Sequence, residues 1–301
     1  MKTLNILIRR NIKLFFKDKG MFFTSLITPL ILLVLYATFL GNVFEDSFRM
    51  AIPEGMKVDD NILSGIVGGQ LLSSLLAVSC VTVAFCSNML MVQDKVTGAA
   101  SDISMTPVKG STLAFGYYIS SFISTMIISL VALAAGLIYI GVIGWYLTFT
   151  DLLLIVLDVF LLVMFGTALS SVINHFLSTQ GQISAVGSIV SSMYGFICGA
   201  YMPISSFGDG VQKVVSFLPG TYATSLLRNH CMRSALDEFE ASGIPAEIVE
   251  GMADTVDCNL YFFDKEVSVP IMYLVLGTSV VLLVTIYVII NYRKNRKKCR
   301  I

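Results

Sequence analysis

Apolar residues run through this chain in long blocks separated by short polar stretches. A bilayer core of about 30 Å needs about 20 apolar residues at about 1.5 Å rise each. Six stretches qualify: 21–41, 64–92, 112–143, 147–173, 182–202 and 268–291. Most lack the alternation of apolar and polar positions that a membrane barrel strand requires, so they predict helices. Residues 1–20 follow another pattern. Leu4, Leu7, Ile8, Ile12 and Phe15 recur at helical spacing, with Lys2, Arg9, Arg10, Lys13 and Lys17 largely around the other side. That arrangement predicts an amphipathic helix lying in the headgroup plane. The expected fold is therefore an all-α polytopic membrane protein, with an interfacial helix over 1–20 and one six-helix transmembrane domain over 21–301.

After the fifth stretch the pattern breaks. Met202-Pro203 interrupts the helix, and Val211 to Leu218 and Tyr222 to Leu227 form two short apolar pieces separated by Pro219-Gly220. Each is too short to cross, so they predict a re-entrant hairpin on the outer side. Residues 229–267 read as an acidic polar cap, so that 203–267 is external. The pairs Gly65/Gly69 and Gly195/Gly199 have the small-xxx-small spacing that lets membrane helices approach closely, and Ser184, Ser188 and Ser191 extend the second pair along one face.

Composition agrees: 55% of residues are hydrophobic and 13% charged, too apolar for a soluble domain of 301 residues. The net charge of zero conceals an uneven distribution. Fourteen Lys and Arg fall in 1–20, 93–111, 174–181 and 292–301, against six in the segments between the other span ends. Basic residues are retained on the cytoplasmic side, which predicts that both termini are cytoplasmic and that the number of crossings is even. The basic lead is too long for a signal peptide and is expected to remain uncleaved.

Little in the chain points to catalysis. It has no G-x-x-x-x-G-K-[ST] phosphate loop, no H-E-x-x-H and no G-x-S-x-G, and neither His175 nor His230 has the partners of a catalytic group. No catalytic residue and no metal site is expected. Asp158 is the only carboxylate clearly inside a span, where a charge costs about 2.5–3.5 kcal/mol. It reads either as a proton or cation site or as a structural partner of a neighbouring hydroxyl or amide. Cys80, Cys86 and Cys198 lie in spans and Cys299 in the cytoplasmic tail. Cys231 and Cys258 share the external segment, where they read either as a disulfide or as two lone thiols.

The connection between the second and third spans is more elaborate than a turn requires. It begins Gln93-Asp94-Lys95-Val96-Thr97-Gly98, continues through small residues to Asp102 and stops at Thr106-Pro107. A charged start, small central residues and a proline stop predict a short helix parallel to the membrane, offered to a soluble partner. The order of parts resembles the ABC type-2 exporter permeases: a basic lead helix; Asp94, Lys95 and Gly98 followed by Thr106-Pro107; then Gly199, Pro203, Pro219 and Arg228.

The resemblance implies a permease subunit that pairs with a second copy or a paralogue, each resting on a separate ABC ATP-binding subunit. The chain itself would carry no cofactor, ATP and Mg being held by that partner. Gln93, Asp94, Lys95, Val96, Thr97, Gly98, Asp102, Thr106 and Pro107 would form the coupling helix that docks on it. Gly199, Pro203, Pro219 and Arg228 would form the external re-entrant motif, and spans two and five would line the central path. The implied function is ATP-driven export of an amphipathic or hydrophobic substrate (a drug, an antimicrobial peptide or a lipid-like molecule) across a bacterial plasma membrane. Beyond these partners and the bilayer, no nucleic acid is expected. Two alternatives stand beside it: an ion-coupled secondary transporter using Asp158, and a non-transporting membrane sensor with a peptide-binding outer loop.

Overall fold

The computed structural model describes residues 2–52, 59–263 and 265–298. Cys299 and the basic side chains from Arg293 onward lie outside the described residues. The helices, in chain order, are α1 Lys2–Lys17, α2 Lys19–Leu35, α3 Gly41–Ala51, α4 Asp60–Val96, α5 Ala99–Met105, α6 Gly110–Ile143, α7 Phe149–Phe176, α8 Gln180–Ile197, α9 Asp209–Val215, α10 Pro219–Ala241, α11 Ala246–Thr255 and α12 Val269–Lys298. A two-stranded hairpin, β1 Tyr261–Phe262 and β2 Lys265–Glu266, precedes α12.

Helix starts carry the expected local chemistry. The Asp18 carboxylate accepts from the Met21 amide at 3.1 Å and begins α2. Thr148/Asp151 and Thr179/Gln182 form reciprocal capping boxes on α7 and α8. Pro219 opens α10, where its missing N–H costs nothing.

Five segments are long and apolar enough to cross a bilayer: Lys19–Met50, Asp60–Val96, Gly110–Ile143, Phe149–Phe176 and Val269–Tyr292. They correspond to expected spans one, two, three, four and six. α8 occupies the fifth, but its Gln, Ser and Gly residues leave it less apolar than the others.

Two expectations are corrected. The first span, expected to end at residue 41, continues as helix through Ala51, because a π-helical turn at Tyr36–Leu40 carries α2 into α3 without a break. The hairpin of two short arms is instead the short α9 followed by a 23-residue helix, α10, that continues far beyond Leu227. Residues 229–241 read as a polar loop only because their partners lie elsewhere in the chain. Arg228 meets Asp257, His230 meets Asp158, and Arg233 meets Asp151.

α4 is the hub. Of its most apolar window, 89% is buried, and it packs against α2, α6, α7, α8 and α10. Small residues make this possible: a Cβ on Gly69 would run into the Cys231 carbonyl of α10, and one on Gly65 into the Tyr146 ring. A helix enclosed in this way cannot line a path between two subunits, which corrects the expectation for span two. Gly195 and Gly199 also serve another purpose than a helix–helix seam. Gly195 makes room for the chain's own Tyr201, and Gly199, at φ +76°, turns the backbone out of α8.

The helix ends sort into two groups. Near α1 lie the end of α4, the start of α6, and the ends of α7 and α12, joined by Asp94–Tyr117, Lys95–Leu177 and Tyr287–Ala114 bonds. At the far end lie the starts of α4, α7 and α12 and the end of α6, with Gly65 against Tyr146 and Gly144. α8 starts beside Leu177 in the first group. It finishes between the two groups, where Tyr36, halfway along Lys19–Met50 and beside Leu71, Leu72 and Leu75 of α4, donates to the Ala200 carbonyl at 3.1 Å.

Candidate functional site

The segment expected to meet a partner starts in the last turn of α4, and its first two charges turn inward. Asp94 is 5% exposed. Arg10 of α1 donates to both its oxygens, Nη1 to Oδ2 at 2.7 Å and Nη2 to Oδ1 at 3.1 Å, and the Tyr117 hydroxyl of α6 donates to Oδ2 at 2.5 Å. A two-pronged guanidinium–carboxylate contact is geometrically specific as well as strong. Bonding to Asp94 pushes the Arg10 guanidinium still further above its ordinary range, against the opposing effect of burial. Asp94 is thus a latch holding the interfacial helix to α4 and α6. Leu7 packs against Gly116 just beside it.

Lys95 also faces inward. Its ammonium donates to the carbonyls of Asn174, His175 and Leu177 at 2.9, 2.7 and 2.9 Å. These carbonyls lie at the C-terminus of α7, the negative end of its helix dipole, and that of Asn174 also accepts from the Leu177 amide at 3.3 Å. The first two charged residues therefore position the segment; they are not its docking surface.

The rest of the segment faces outward. Thr97 caps α4, its hydroxyl donating to the Gln93 carbonyl at 2.9 Å. Gly98, at φ +85°, makes a left-handed turn that L side chains rarely adopt, and this sets α5 off from α4. None of the α5 residues is buried. Asp102, Thr106 and Pro107 are exposed, Val96 is half-exposed, and Met105 at the end of α5 is 85% exposed. Met105 escaped the sequence reading because nothing in the pattern distinguishes an apolar residue pointing outward from one pointing in. Arg10 and Tyr117 were missed because their partner is about 80 and 20 residues away along the chain.

At the far end the structure unites two members of the expected external motif. Arg228 is 1% exposed and donates to the Gly199 carbonyl and, at 3.0 Å, to Asp257 Oδ2. Asp257 also accepts from the Ile204 amide at 2.6 Å and the Ser205 amide at 3.3 Å. Burial pushes the Asp257 carboxyl above its ordinary range, while Arg228 and the two amides pull it back. Pro203 stands between Gly199 and these amides, so the chain break is held by one buried ion pair. Pro219 lies outside this knot, at the start of α10. Asp257 was not recognised in the sequence because it sits in the acidic cap among many exposed carboxylates.

Asp158 is not the lone acid that the sequence suggested. His230 Nδ1 lies 2.6 Å from its Oδ2, and the Tyr273 hydroxyl donates to its Oδ1 at 2.6 Å. The His230 and Tyr273 rings stack with centroids 6.2 Å apart. One carboxylate thereby joins α7, α10 and α12. Seven residues earlier, Asp151 at the start of α7 takes Arg233 and Ser234 from the same face of α10. A second buried network lies among α4, α6 and α7, where the Asn88 amide donates to Ser170 and Ser171 at 3.1 and 2.8 Å and its carbonyl accepts from Ser121. Cys231 and Cys258 are buried free thiols, Cys258 facing the Met232 sulfur at 3.8 Å, so no bridge joins them. Among the described residues, no group of three or more His, Cys, Asp or Glu side chains could hold a metal ion.

These features describe a helical membrane domain with an exposed, rigidly mounted helix at one end. A search of curated proteins gave no match. A model of the ABC-2 type transporter family matches residues 2–231, from the interfacial helix through most of α10. Over that length, which takes in α1 through α9, the first half of α10 and the α4–α5–α6 connection, the chain belongs to the ABC-2 type transporter family as a membrane permease subunit.

Proposed function

We propose that this chain is the permease of an ATP-driven exporter, assembled as a pair of membrane subunits on separate ATP-binding subunits that hold ATP and Mg. The observation that carries this reading is the α5 segment: outward-facing and mounted through Gly98 on an α4 whose last turn is tied to α1, α6 and α7. A force applied at Ser101 to Met105 passes into α4 and from there to every helix packed on it. We take α8, continued outward through α10, as the fifth of six crossings; an even count leaves both termini on one side of the bilayer, and the basic residues select the cytoplasm.

α8 is also the helix best suited to face a second subunit. It buries only Ile183 and Gly195 within the subunit and exposes Ser184, Ser188 and Ser192. Such a surface is a poor match for lipid and a good one for another helix or a polar path. The substrate class is amphipathic or hydrophobic. The engagement of both Asp158 oxygens by His230 and Tyr273 favours this energy source over ion coupling, since an ion would have to displace both.

The test is co-purification with the ATPase subunit. Met105→Asp, or replacement of Ser101 to Met105 by a Gly/Ser linker, should release the ATPase while leaving the permease melting temperature unchanged. Undiminished assembly in both variants would overturn the docking role. Sensitivity of a deletion strain to toxic amphipathic compounds, relieved by the wild-type chain and not by Met105→Asp, tests the direction and substrate class.

A further inference from the structure

Gln70 of α4 is 0% exposed, and among the described residues neither its amide nitrogen nor its carbonyl oxygen meets a hydrogen-bond partner. It lies about 15 Å from the start of the helix, inside the span Asp60–Val96. An unbonded amide away from water is costly, and lipid supplies nothing to relieve it.

The contacts around Gln70 place it at the break that follows α8. Its neighbour Gly69 packs on the Cys231 carbonyl of α10, which brings Arg228, one turn earlier on α10, to about the same height. Arg228 is buried and donates to Asp257 and to the Gly199 carbonyl, while its Nε has no partner among the described residues. One turn beyond Gln70, on the same face of α4, lies the buried Ser74. Its hydroxyl sits beside that of Tyr36, outside bonding geometry. Tyr36 gives its own proton to the Ala200 carbonyl at 3.1 Å. Gly199 and Ala200 are consecutive, so Arg228 and Tyr36 converge on one point of the chain, with Gln70 and Ser74 facing it from the hub.

The bonding needs of these groups define what fills the space between them. Arg228 Nε and the Gln70 nitrogen can only donate, so the occupant must accept; the Gln70 oxygen can only accept, so the occupant must also donate. A cation fails the first requirement, and an anion such as chloride fails the second. All three side chains are buried within one subunit, which excludes a molecule of substrate size. From this we infer that the break after α8 holds a buried water site, in which ordered water bonds to Gln70, Ser74 and Arg228. A buried water makes about three hydrogen bonds, so about two molecules satisfy the set. The break is then held by exchangeable water bonds as well as by the Arg228–Asp257 pair.

Radiolytic hydroxyl-radical labelling in heavy-oxygen water tests this on the full chain in nanodiscs, because radicals formed from a bound water mark the buried side chains beside it. Tyr36 and Cys198 are the reporters, the Cys198 thiol lying near Arg228 and Thr224. Tyr287 and Cys86, equally buried elsewhere in the bundle, are the matched controls. The reporters should take up heavy oxygen about threefold or more faster than the controls, and a bulk radical scavenger should not prevent it. Gln70→Met or Ser74→Ala should bring the rate down to that of the controls. Labelling as slow as in the controls would mean a dry break and overturn the inference. Labelling abolished by the scavenger would mean that bulk solvent reaches the break, and labelling unchanged in both variants would mean that other groups hold the water; either result overturns it equally. Should Gln70→Met fail to fold, Ser74→Ala, which removes a single hydroxyl, carries the comparison. Labelling requires neither the ATPase nor transport, so its outcome is independent of the proposed function.

Discussion

Asp94→Asn separates a latch from a docking residue. The change keeps the size of the side chain and removes its charge, so Arg10 loses a two-pronged ionic contact and the Tyr117 hydroxyl loses a charged acceptor. Hydrogen bonds to charged groups contribute about 1.5–3 kcal/mol each, and an asparagine carbonyl can still accept one or two of them. Arg10 is 32% exposed and regains some hydration when released, so a net loss of about 1–3 kcal/mol is expected. At 1.4 kcal/mol per factor of ten, the α1-detached state should become about 5–150-fold more populated.

Hydrogen exchange of the α1 amides in nanodiscs reports that population, since local opening sets the exchange rate of each protected segment. The expected pattern is faster exchange over Lys2–Lys17, unchanged exchange in α10, and retained capture of the ATPase subunit. Met105→Asp should do the reverse, leaving α1 protected and abolishing capture. An Asp94→Asn protein that loses the ATPase while α1 stays as protected as in wild type would refute the reasoning, for Asp94 would then contact the partner directly.

Three further outcomes follow from the same contacts. Asp257→Asn leaves the buried Arg228 charge uncompensated and should cost about 3–5 kcal/mol, whereas the double change with Arg228→Met should cost clearly less than the sum of the singles; unfolding midpoints of the four proteins check the coupling. Asp158→Asn should lower stability by about 1–2 kcal/mol and leave the pH dependence of export unaltered, in contrast to what an ion-coupled site would do; transport measured across a pH series decides. Gly69→Ala should cost about 1–3 kcal/mol through overpacking against the Cys231 carbonyl, while Gly251→Ala, with open space around it, should be close to neutral; paired thermal melts test this.

Much of the architecture is a one-dimensional property. Whether a segment enters lipid depends on its own apolar length, so five spans and the amphipathic α1 can be read directly from residue order. The position of the exposed α5 follows from Gly98 and Pro107, which act on their own backbone. Such terms are local, and a sequence states them openly.

What only the tertiary structure decided is which polar residues belong to one another. Arg10 and Asp94, Lys95 and the end of α7, Asp158 with His230 and Tyr273, and Arg228 with Asp257 are all distant along the chain. Read separately, each looks like a loop residue, a partner contact or an ion site. In lipid an unpaired polar group is costly, so pairing decides whether a stretch can be a buried helix at all. For that reason residues 229–241, with His230 and Arg233, read as a polar loop and are in fact the second half of α10, packed within the bundle. The enclosure of α4 has the same origin: its small residues announce close contact, but only the packed bundle determines that the contacts come from α2, α6, α7, α8 and α10 on all sides.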